Sequence, residues 1–464
     1  MASDTAGERP QADAHNRIGM AVVAALAIGL QVQATPVILG TPLRLTLSDV
    51  LSPLIGLALL WAAYRNVAAR LPQWRLPRMG LWLVGLSLVM TLSLITGRLE
   101  VGAWFGWALV SKYAGWFVLL WYFLLAAWIV RNYGERAREL FISLFIYVCA
   151  TVGTVDIVVR GFRLINTGVP TPLKFGWARL QGFMENPNAN AFLVSIALLL
   201  MLCRMGAGRP VKPWLAHAIL GVFVAVLFLT ASRGAWLGLG LVVGAILLTH
   251  RAALFRPLLI AVPVAMALVF AAQATPSIVR GLQHVDLPAV PGKADLTREL
   301  RIVNTARLHG TDTDTAYRLE SGLEALETWW QNPILGQGLG TYLWAQGGTL
   351  DADGRLPTIH NTFLWIMAEM GTLGALVFGG FFLLSLHALR PARFGGAPDP
   401  SGFQYAGFLM LILFAGMSLT SEMLYQRHFW FFLGLALALP AAAPAAAAMP
   451  TDPSSGPGTT PQSG

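Results

Sequence analysis

Apolar runs recur along this chain, and they restrict its fold more than any other feature. The runs have about 20 residues each, the length at which an α-helix crosses the hydrocarbon core of a bilayer. Apolar residues make up 56% of the 464 positions and charged residues only 12%, whereas about 25% of an average soluble domain is charged. One water-soluble core cannot hide so much apolar surface. The sequence therefore predicts an all-α, polytopic transmembrane helical bundle.

The positive charge of the chain follows the apolar runs. The formal net charge is +9, but the Lys and Arg residues mostly flank the runs, which indicates a membrane rather than a nucleic acid as the partner. We therefore expect contact with membrane lipids and no nucleic-acid partner. The two cysteines, Cys149 and Cys203, lie inside apolar runs and are expected to be buried thiols without a disulfide.

The runs predict twelve spans and five regions. Residues 1–17 form a cytoplasmic tail, and the first run lacks a clear small-x-small cleavage site, so we interpret it as a retained span. Spans one to nine occupy 18–272, a large periplasmic loop 273–360, and the last three spans 361–441. The tail 442–464, rich in Ala, Pro, Ser and Thr, is expected to be disordered. The predicted spans are 18–40, 46–64, 79–97, 112–130, 137–159, 188–204, 213–231, 234–250, 253–272, 361–386, 403–421 and 427–441.

Basic residues set the orientation of the spans. Lys and Arg concentrate in the even-numbered loops, which are therefore expected to be cytoplasmic together with both termini. The odd-numbered short loops carry single arginines, at Arg44, Arg233 and Arg427. The basic residues of the even-numbered loops are Arg65, Arg70, Arg75, Arg78, Arg131, Arg136, Arg138, Arg204, Arg209, Lys212, Arg251, Arg256, Arg390 and Arg393.

Two outward loops, 160–187 and 273–360, are much longer than the others, and loops beyond about 15 residues are usually functional. The larger loop has a helical pattern, which predicts a small, partly helical lid with an earlier helix around 296–308. Its apolar stripe consists of Leu319, Leu323, Leu326 and Trp330.

Two arginines at the outer edge are candidates for binding phosphate. Arg233 stands between two spans with almost no loop, and a guanidinium there either snorkels, caps the turn or binds an anion in a bidentate fork. Arg179 precedes Asn186-Pro-Asn188, in which the asparagines are expected to cap the next span. Arg179 shares its loop with a second cation, Lys174.

Two further candidates belong to the large loop. His360 stands where this loop re-enters the membrane, and it is either a structural hydrogen-bond donor or a general base. Glu369 follows about 13 Å down the helix and half a turn round, so it is not expected to orient His360. Arg318 lies on the polar side of the lid helix, where an ion pair with Glu320 or Glu324 is the alternative to substrate binding.

Taken in order, these motifs resemble the family of lipopolysaccharide O-antigen ligases and the related O-antigen polymerases. The resemblance covers roughly residues 20 to 435, and the long outer loop before the histidine is typical of ligases. The motifs are Arg179 with Gly182 and Asn186-Pro-Asn188, Ser232-Arg-Gly234, Arg318, Pro333-Ile-Leu-Gly336 with Gly338, and His360-Asn361 with Glu369 and Gly371.

The resemblance implies an enzyme of the Gram-negative inner membrane whose active site faces the periplasm. Its donor would be an undecaprenyl-diphosphate-linked glycan and its acceptor lipid A-core, with no cofactor and no metal. Arginines would stabilise the charge of the diphosphate leaving group, and a histidine would take the proton of the acceptor hydroxyl, which favours a direct, inverting displacement. The catalytic residues would be His360, Arg233 and Arg179, and the substrate-binding residues Arg318, Asn188, Asn361 and Lys174.

Three other functions remain open from the sequence, as does the oligomeric state. A polymerase that extends the lipid-linked glycan would use the same residues. A transporter would need internal symmetry, which the chain lacks, and polar groups at mid-membrane, for which Asp49, Asp156 and Glu422 are the candidates. A non-catalytic scaffold would give no reason for Arg and His to gather on one face.

Overall fold

The computed structural model describes residues 8–34, 36–38, 41–42, 44–65, 71–162, 179–208, 211–283, 313–348, 357–396, 399 and 401–439. Lys174, the predicted helix at 296–308 and the predicted disordered tail at 442–464 lie outside these residues. The α-helices are α1 Glu8–Gly29, α2 Leu47–Arg65, α3 Met79–Val101, α4 Gly115–Phe162, α5 Pro187–Gly206, α6 Pro213–Thr230, α7 Arg233–Leu248, α8 Leu258–Gln283, α9 Thr313–Gln331, α10 Thr341–Ala345, α11 Thr362–Leu389, α12 Phe403–Ser418 and α13 Arg427–Leu437.

The helical class that the apolar runs predict is confirmed. Each predicted span overlaps a helix, and in the described ranges six helical stretches are long and apolar enough to cross a membrane. The count of twelve stays a prediction, because several of the remaining apolar helices have fewer than 18 residues. The six stretches are Met79–Val101, Ala108–Val159, Pro187–Gly206, Pro213–Thr230, Ala252–Ala272 and Thr362–Leu389.

The longest stretch is a hairpin of two helices. Gly134 breaks α4 with a φ of 67°, a conformation that glycine adopts without steric cost. On either side of it, the ring of Phe123 lies 6.2 Å from Trp430, and the ring of Phe141 lies 4.6 Å from Phe431. In one straight helix, residues 123 and 141 would stand about 27 Å apart. The chain therefore reverses between the predicted fourth and fifth spans.

The prediction of the first span, 18–40, is wrong at its C-terminal edge, whereas the apolar part of α1 begins at Arg17. Helix α1 begins at Glu8 and ends at Gly29, after which the chain forms two short antiparallel strand pairs. Pro36 lies between these strands, and proline lacks the N–H that a helix interior needs. The strands are β1 Gln33–Ala34 paired with β4 Leu45–Thr46, and β2 Val37–Ile38 paired with β3 Thr41–Pro42.

The predicted ninth span, 253–272, coincides with the apolar stretch Ala252–Ala272, and α8 continues beyond it to Gln283. Hydropathy reports where a chain leaves the hydrocarbon, whereas a helix ends where its hydrogen bonds stop. The outer loop therefore begins as a continuation of α8.

Two contacts mark the opposite ends of the bundle. At one end, Arg427 Nε lies 2.6 Å from Asp49 Oδ2, which joins the eleventh connection to the first. At the other end, Arg75 Nε donates to the Ala436 carbonyl over 3.0 Å, which joins the second connection to the end of α13. The start and the end of α13 therefore lie at opposite ends of the bundle, beside α2 and the segment before α3 respectively.

Helix α11 is broken at Gly371, and the glycine-rich segment 333–340 fills the break. Gly371 has a φ of 65°, which removes several backbone groups from the helical ladder. Irregular backbone among membrane helices is tolerated where protein covers it, and here the segment supplies the missing partners. The hydrogen bonds run from Gln337 N to Ala368 O (2.9 Å), Gly338 N to Glu369 O (3.0 Å), Thr372 N to Pro333 O (2.8 Å) and Leu373 N to Ile334 O (3.1 Å).

We expect Gly338→Ala to destabilise the protein more than Gly347→Ala. Both glycines have a positive φ, 104° and 92°, so the backbone strain is matched. A Cβ at Gly338 would lie 2.0 Å from the Gly97 nitrogen, whereas one at Gly347 would meet nothing within 4 Å. Overpacking of this kind costs about 1–3 kcal/mol. Thermal unfolding in detergent measures the difference, and equal melting temperatures would contradict the close approach to Gly97.

Candidate active site

The turn between α12 and α13, residues 419–421, collects side chains from distant parts of the chain. Its three successive backbone carbonyls each accept a side-chain hydrogen bond from α9 or from the start of α11. We call the end of the bundle that carries this turn the site end. The bonds are Asn361 Nδ2 to Leu419 O (3.2 Å), Arg318 Nη1 to Thr420 O (2.8 Å) and Thr362 Oγ1 to Ser421 O (3.0 Å).

Asn188 connects Arg179 to the same turn. Its Oδ1 accepts from Arg179 Nη2 over 3.0 Å and from Ser232 Oγ over 2.8 Å. Its Nδ2 donates to Ser421 Oγ over 3.1 Å. A second bond, from Arg179 Nε to the Thr230 carbonyl (3.0 Å), fixes the plane of the guanidinium. Arg179 is thus held in one orientation beside the end of α6.

Arg233 is the first residue of α7 and is exposed. The preceding Ser232 caps the helix, because its Oγ accepts from the Ala235 N–H over 3.3 Å. A Cβ at Gly234 would lie 2.2 Å from Thr420 Oγ1, so the start of α7 is packed against the 419–421 turn. Both the guanidinium and the N–H groups of a helix N-terminus favour an anion here.

His360 is half-buried and lies one residue before the N-cap of α11. Its ring is 5.7 Å from the ring of Tyr317 in an edge-to-face contact, which places it beside Arg318 on α9. The cap residue is Asn361, whose Oδ1 accepts from the N–H groups of Phe363 and Leu364. The histidine therefore stands at the edge of the cluster around the turn.

Glu369 joins α11 to the glycine-rich segment and to α3. Its Oε2 accepts from the Gly340 N–H over 3.0 Å, and its carbonyl accepts from Ser93 Oγ over 2.7 Å. The buried carboxylate thus holds the glycine-rich segment on α11. It belongs to the scaffold of the site.

The structure brings Arg179, Arg233, Arg318 and His360 to the site end, around one turn, by the contacts described above. The expected cap at Asn188 is wrong. Asn186 alone caps α5, because its Oδ1 accepts from Asn188 N and Ala189 N. Pro187 occupies the first helical position, so Asn188 lies inside the helix and its side chain bonds to Arg179 and Ser421. Among the described residues, no group of three or more His, Cys, Asp or Glu is arranged to hold a metal ion.

Sequence reasoning missed a buried ion pair beside the site. Lys112 lies in a π-helical turn, Ala108–Ala114, and pairs with Glu422, the neighbour of Ser421. Turns of this kind are frequent at functional sites. The signal was present, because a lysine within an apolar run is costly unless it is paired. Among the transporter candidates, Glu422 and Asp49 both form ion pairs near the site end.

Three aromatic rings enclose the ammonium group of Lys112. Its Nζ is 4.7 Å from the ring centre of Trp107, 4.5 Å from Trp365 and 4.6 Å from Tyr425. Burial, with the negative charges of Glu422 and Glu369, raises the pKa of the Tyr425 phenol well above its usual value. The phenol therefore stays protonated, and it donates to the Lys112 carbonyl over 3.0 Å. This arrangement fixes the chain immediately after the 419–421 turn.

Comparison with known proteins bears on this cluster. Residues 218–379 match the family described as O-antigen ligase. The matched range includes Arg233, Arg318 and His360, and it also includes the break at Gly371 with the segment that fills it. No curated protein matches the chain in a sequence search. The match over residues 218–379 supports the O-antigen ligase family that the motifs predicted.

Proposed function

We propose that the protein is an O-antigen ligase. It transfers an O-antigen glycan from undecaprenyl diphosphate to lipid A-core on the periplasmic side of the inner membrane, without a metal. The observation that carries the proposal is the convergence of Arg179, Arg318 and the start of α7 on the 419–421 turn, with His360 at its edge. A cluster of guanidinium groups at the end of a membrane bundle suits a lipid-linked diphosphate.

The reaction needs one bond to form and one to break. The acceptor hydroxyl oxygen attacks the anomeric carbon of the glycan, whose bond to the diphosphate oxygen breaks with inversion. His360 takes the hydroxyl proton as the new bond forms. The electron pair of the broken bond remains on undecaprenyl diphosphate, where Arg179, Arg233 and Arg318 stabilise the developing charge.

The remaining residues orient this machinery. Asn188 holds Arg179 against the turn, and Asn361 ties the histidine segment to Leu419. Both asparagines therefore act on substrate chiefly through the groups that they position. Lys174 belongs to the same outer connection as Arg179 and is proposed as a further phosphate contact.

Product analysis in proteoliposomes tests the proposal. With undecaprenyl-diphosphate-linked glycan and lipid A-core, we expect glycan-bearing lipid A-core and free undecaprenyl diphosphate. Without lipid A-core, the lipid-linked glycan should keep its length. Lengthening of that glycan would instead identify a polymerase. Movement of intact donor across the bilayer without cleavage would identify a transporter.

Arg233→Lys should slow transfer and weaken donor binding. Lysine keeps the charge but cannot form the planar fork, and a hydrogen bond to a charged group contributes about 1.5–3 kcal/mol, which corresponds to roughly 10–150-fold. The matched control is Arg256→Lys, an exposed arginine in the connection between α7 and α8. Full activity in both Arg233→Lys and Arg233→Ala would refute the diphosphate clamp at this position.

Cysteine labelling tests the proposed orientation. Glu320 and Arg393 are exposed and belong to connections of opposite parity, whereas the native Cys149 and Cys203 are buried. We expect a membrane-impermeant maleimide to label Glu320→Cys in intact spheroplasts and Arg393→Cys only after permeabilisation. The reverse pattern would place the site end in the cytoplasm.

A further inference from the structure

Helix α9 turns its small residues towards the protein and its large apolar residues away from it. Ser321 and Ala325 are buried, and a Cβ at Gly322 would lie 3.5 Å from Leu364 on α11. The predicted apolar stripe faces outwards instead. The exposed fractions of its members are 66% for Leu319, 60% for Leu323, 40% for Leu326 and 76% for Trp330.

The exposed stripe continues beyond the end of the helix. Ile334 and Leu335, in the segment that fills the break of α11, are also exposed. A contiguous apolar patch of this kind is unfavourable in water and marks a contact surface. Glu320 and Glu327 occupy one flank of the stripe and are exposed as well. The helix thus has a protein face, an apolar face and a polar flank.

The contacts of α9 with α11 fix its depth in the bundle. Tyr317 lies against His360 at the start of α11. Further along both helices, Trp329 Nε1 donates to Thr372 Oγ1 over 3.1 Å. The two helices therefore run side by side in the same direction. Trp329, near the C-terminal end of α9, therefore lies about ten residues, or roughly 15 Å, along α11 from its start.

The contacts with α3 show how far the end of α9 lies from exposed apolar side chains of that helix. The segment after α9 reaches α3 at Ser93, whose carbonyl accepts from Leu339 N over 2.8 Å. Closer to the site end, α3 still exposes Ile95 and Leu99, within a stretch apolar enough to span a membrane. The end of α9 therefore lies no farther towards the site end than Ile95 and Leu99, which are exposed on a stretch apolar enough to span a membrane.

We propose that α9 is seated in the bilayer, and that the stripe Leu319, Leu323, Leu326 and Trp330 contacts the hydrocarbon chains of its lipids. A helix with one apolar face and a charged flank can bury that face among the acyl chains while its charges stay at the headgroup boundary, where tryptophan is also favoured. The protein face then presents Arg318 to the 419–421 turn from within the membrane boundary. The helix is thus an embedded wall of the site rather than part of a lid over the outer face.

Spin labels in proteoliposomes test the proposal without reference to activity. A nitroxide at Leu323→Cys is compared with one at Glu327→Cys, four residues on and on the polar flank. Collisions with oxygen report lipid, and collisions with a water-soluble nickel chelate report water. We expect the ratio of oxygen to nickel collisions to be several-fold higher at position 323 than at 327. The unlabelled background comes from the wild-type protein, whose two cysteines are buried.

A second label at Leu319→Cys keeps the test decisive if one variant folds poorly. It should show the same preference for oxygen, and a fluorophore there should be quenched by brominated acyl chains. Nickel-dominated collisions at both 319 and 323, equal to those at 327, would overturn the proposal and return α9 to water. Because neither readout involves transfer, a failed ligase assay leaves this result unaffected.

Discussion

Lys112→Met is expected to lower the free energy of unfolding by about 3–5 kcal/mol, because breaking a buried ion pair leaves its partner charge uncompensated. The partner, Glu422, is mostly buried, and Lys112 is the cation that pairs with it among the described residues. Methionine fills a similar volume, so the effect reports charge rather than a cavity. Thermal or denaturant unfolding in detergent, together with the yield of monodisperse protein, measures it.

The double variant Lys112→Met/Glu422→Gln separates the pair from general disruption. Removing both charges eliminates the uncompensated carboxylate, and replacing a buried pair by neutral groups is often close to neutral in stability. We therefore expect the double variant to be more stable than Lys112→Met alone. Lys212→Met, an exposed lysine before α6, should be close to the wild type. A double variant no more stable than the single would contradict this account of the pair.

His360→Ala is expected to slow single-turnover transfer by about 10²–10⁴-fold while donor binding is retained, because general-base catalysis contributes that range. The diphosphate contacts belong to the arginines, so the histidine should act on the chemical step alone. Rapid-quench transfer measures the rate, and equilibrium binding of the lipid-linked donor is measured on the same preparation.

His217→Ala is the matched control for His360→Ala. His217 belongs to the first turn of α6, where its Nδ1 lies 2.6 Å from the Pro213 carbonyl, remote in sequence from the turn at 419–421. It should leave transfer unchanged. Near wild-type transfer in His360→Ala would make that histidine a structural group. Loss of donor binding would instead place it in the anion site.

The apolar runs and their flanking basic residues were sufficient to predict most of the helices, because the length and the flanking charge of a run are properties of a single span. They were insufficient for the first connection, where strands of two residues leave almost no periodic signal. Motif spacing predicted which arginines and which histidine lie at the same end of the bundle. It could not predict the turn that joins them, since Thr420 is contacted from Arg318, about one hundred positions away.

Two features depended on tertiary contacts that no local pattern encodes. Lys112 and Glu422 are 310 positions apart, so neither predicts its partner. The stripe on α9 has the same spacing whether it faces a protein core or lipid. Only the contacts of its small residues with α11 show that the large residues point away.

If three arginines hold the diphosphate leaving group, the rate of transfer should depend on the second phosphate of the donor. The same glycan is presented on undecaprenyl diphosphate and on undecaprenyl monophosphate, and single-turnover transfer to lipid A-core is measured for each. Losing the contacts to one phosphate removes at least two charge-assisted hydrogen bonds of about 1.5–3 kcal/mol each, so the diphosphate donor should react at least about 100-fold faster. Equal rates for the two donors would contradict the account.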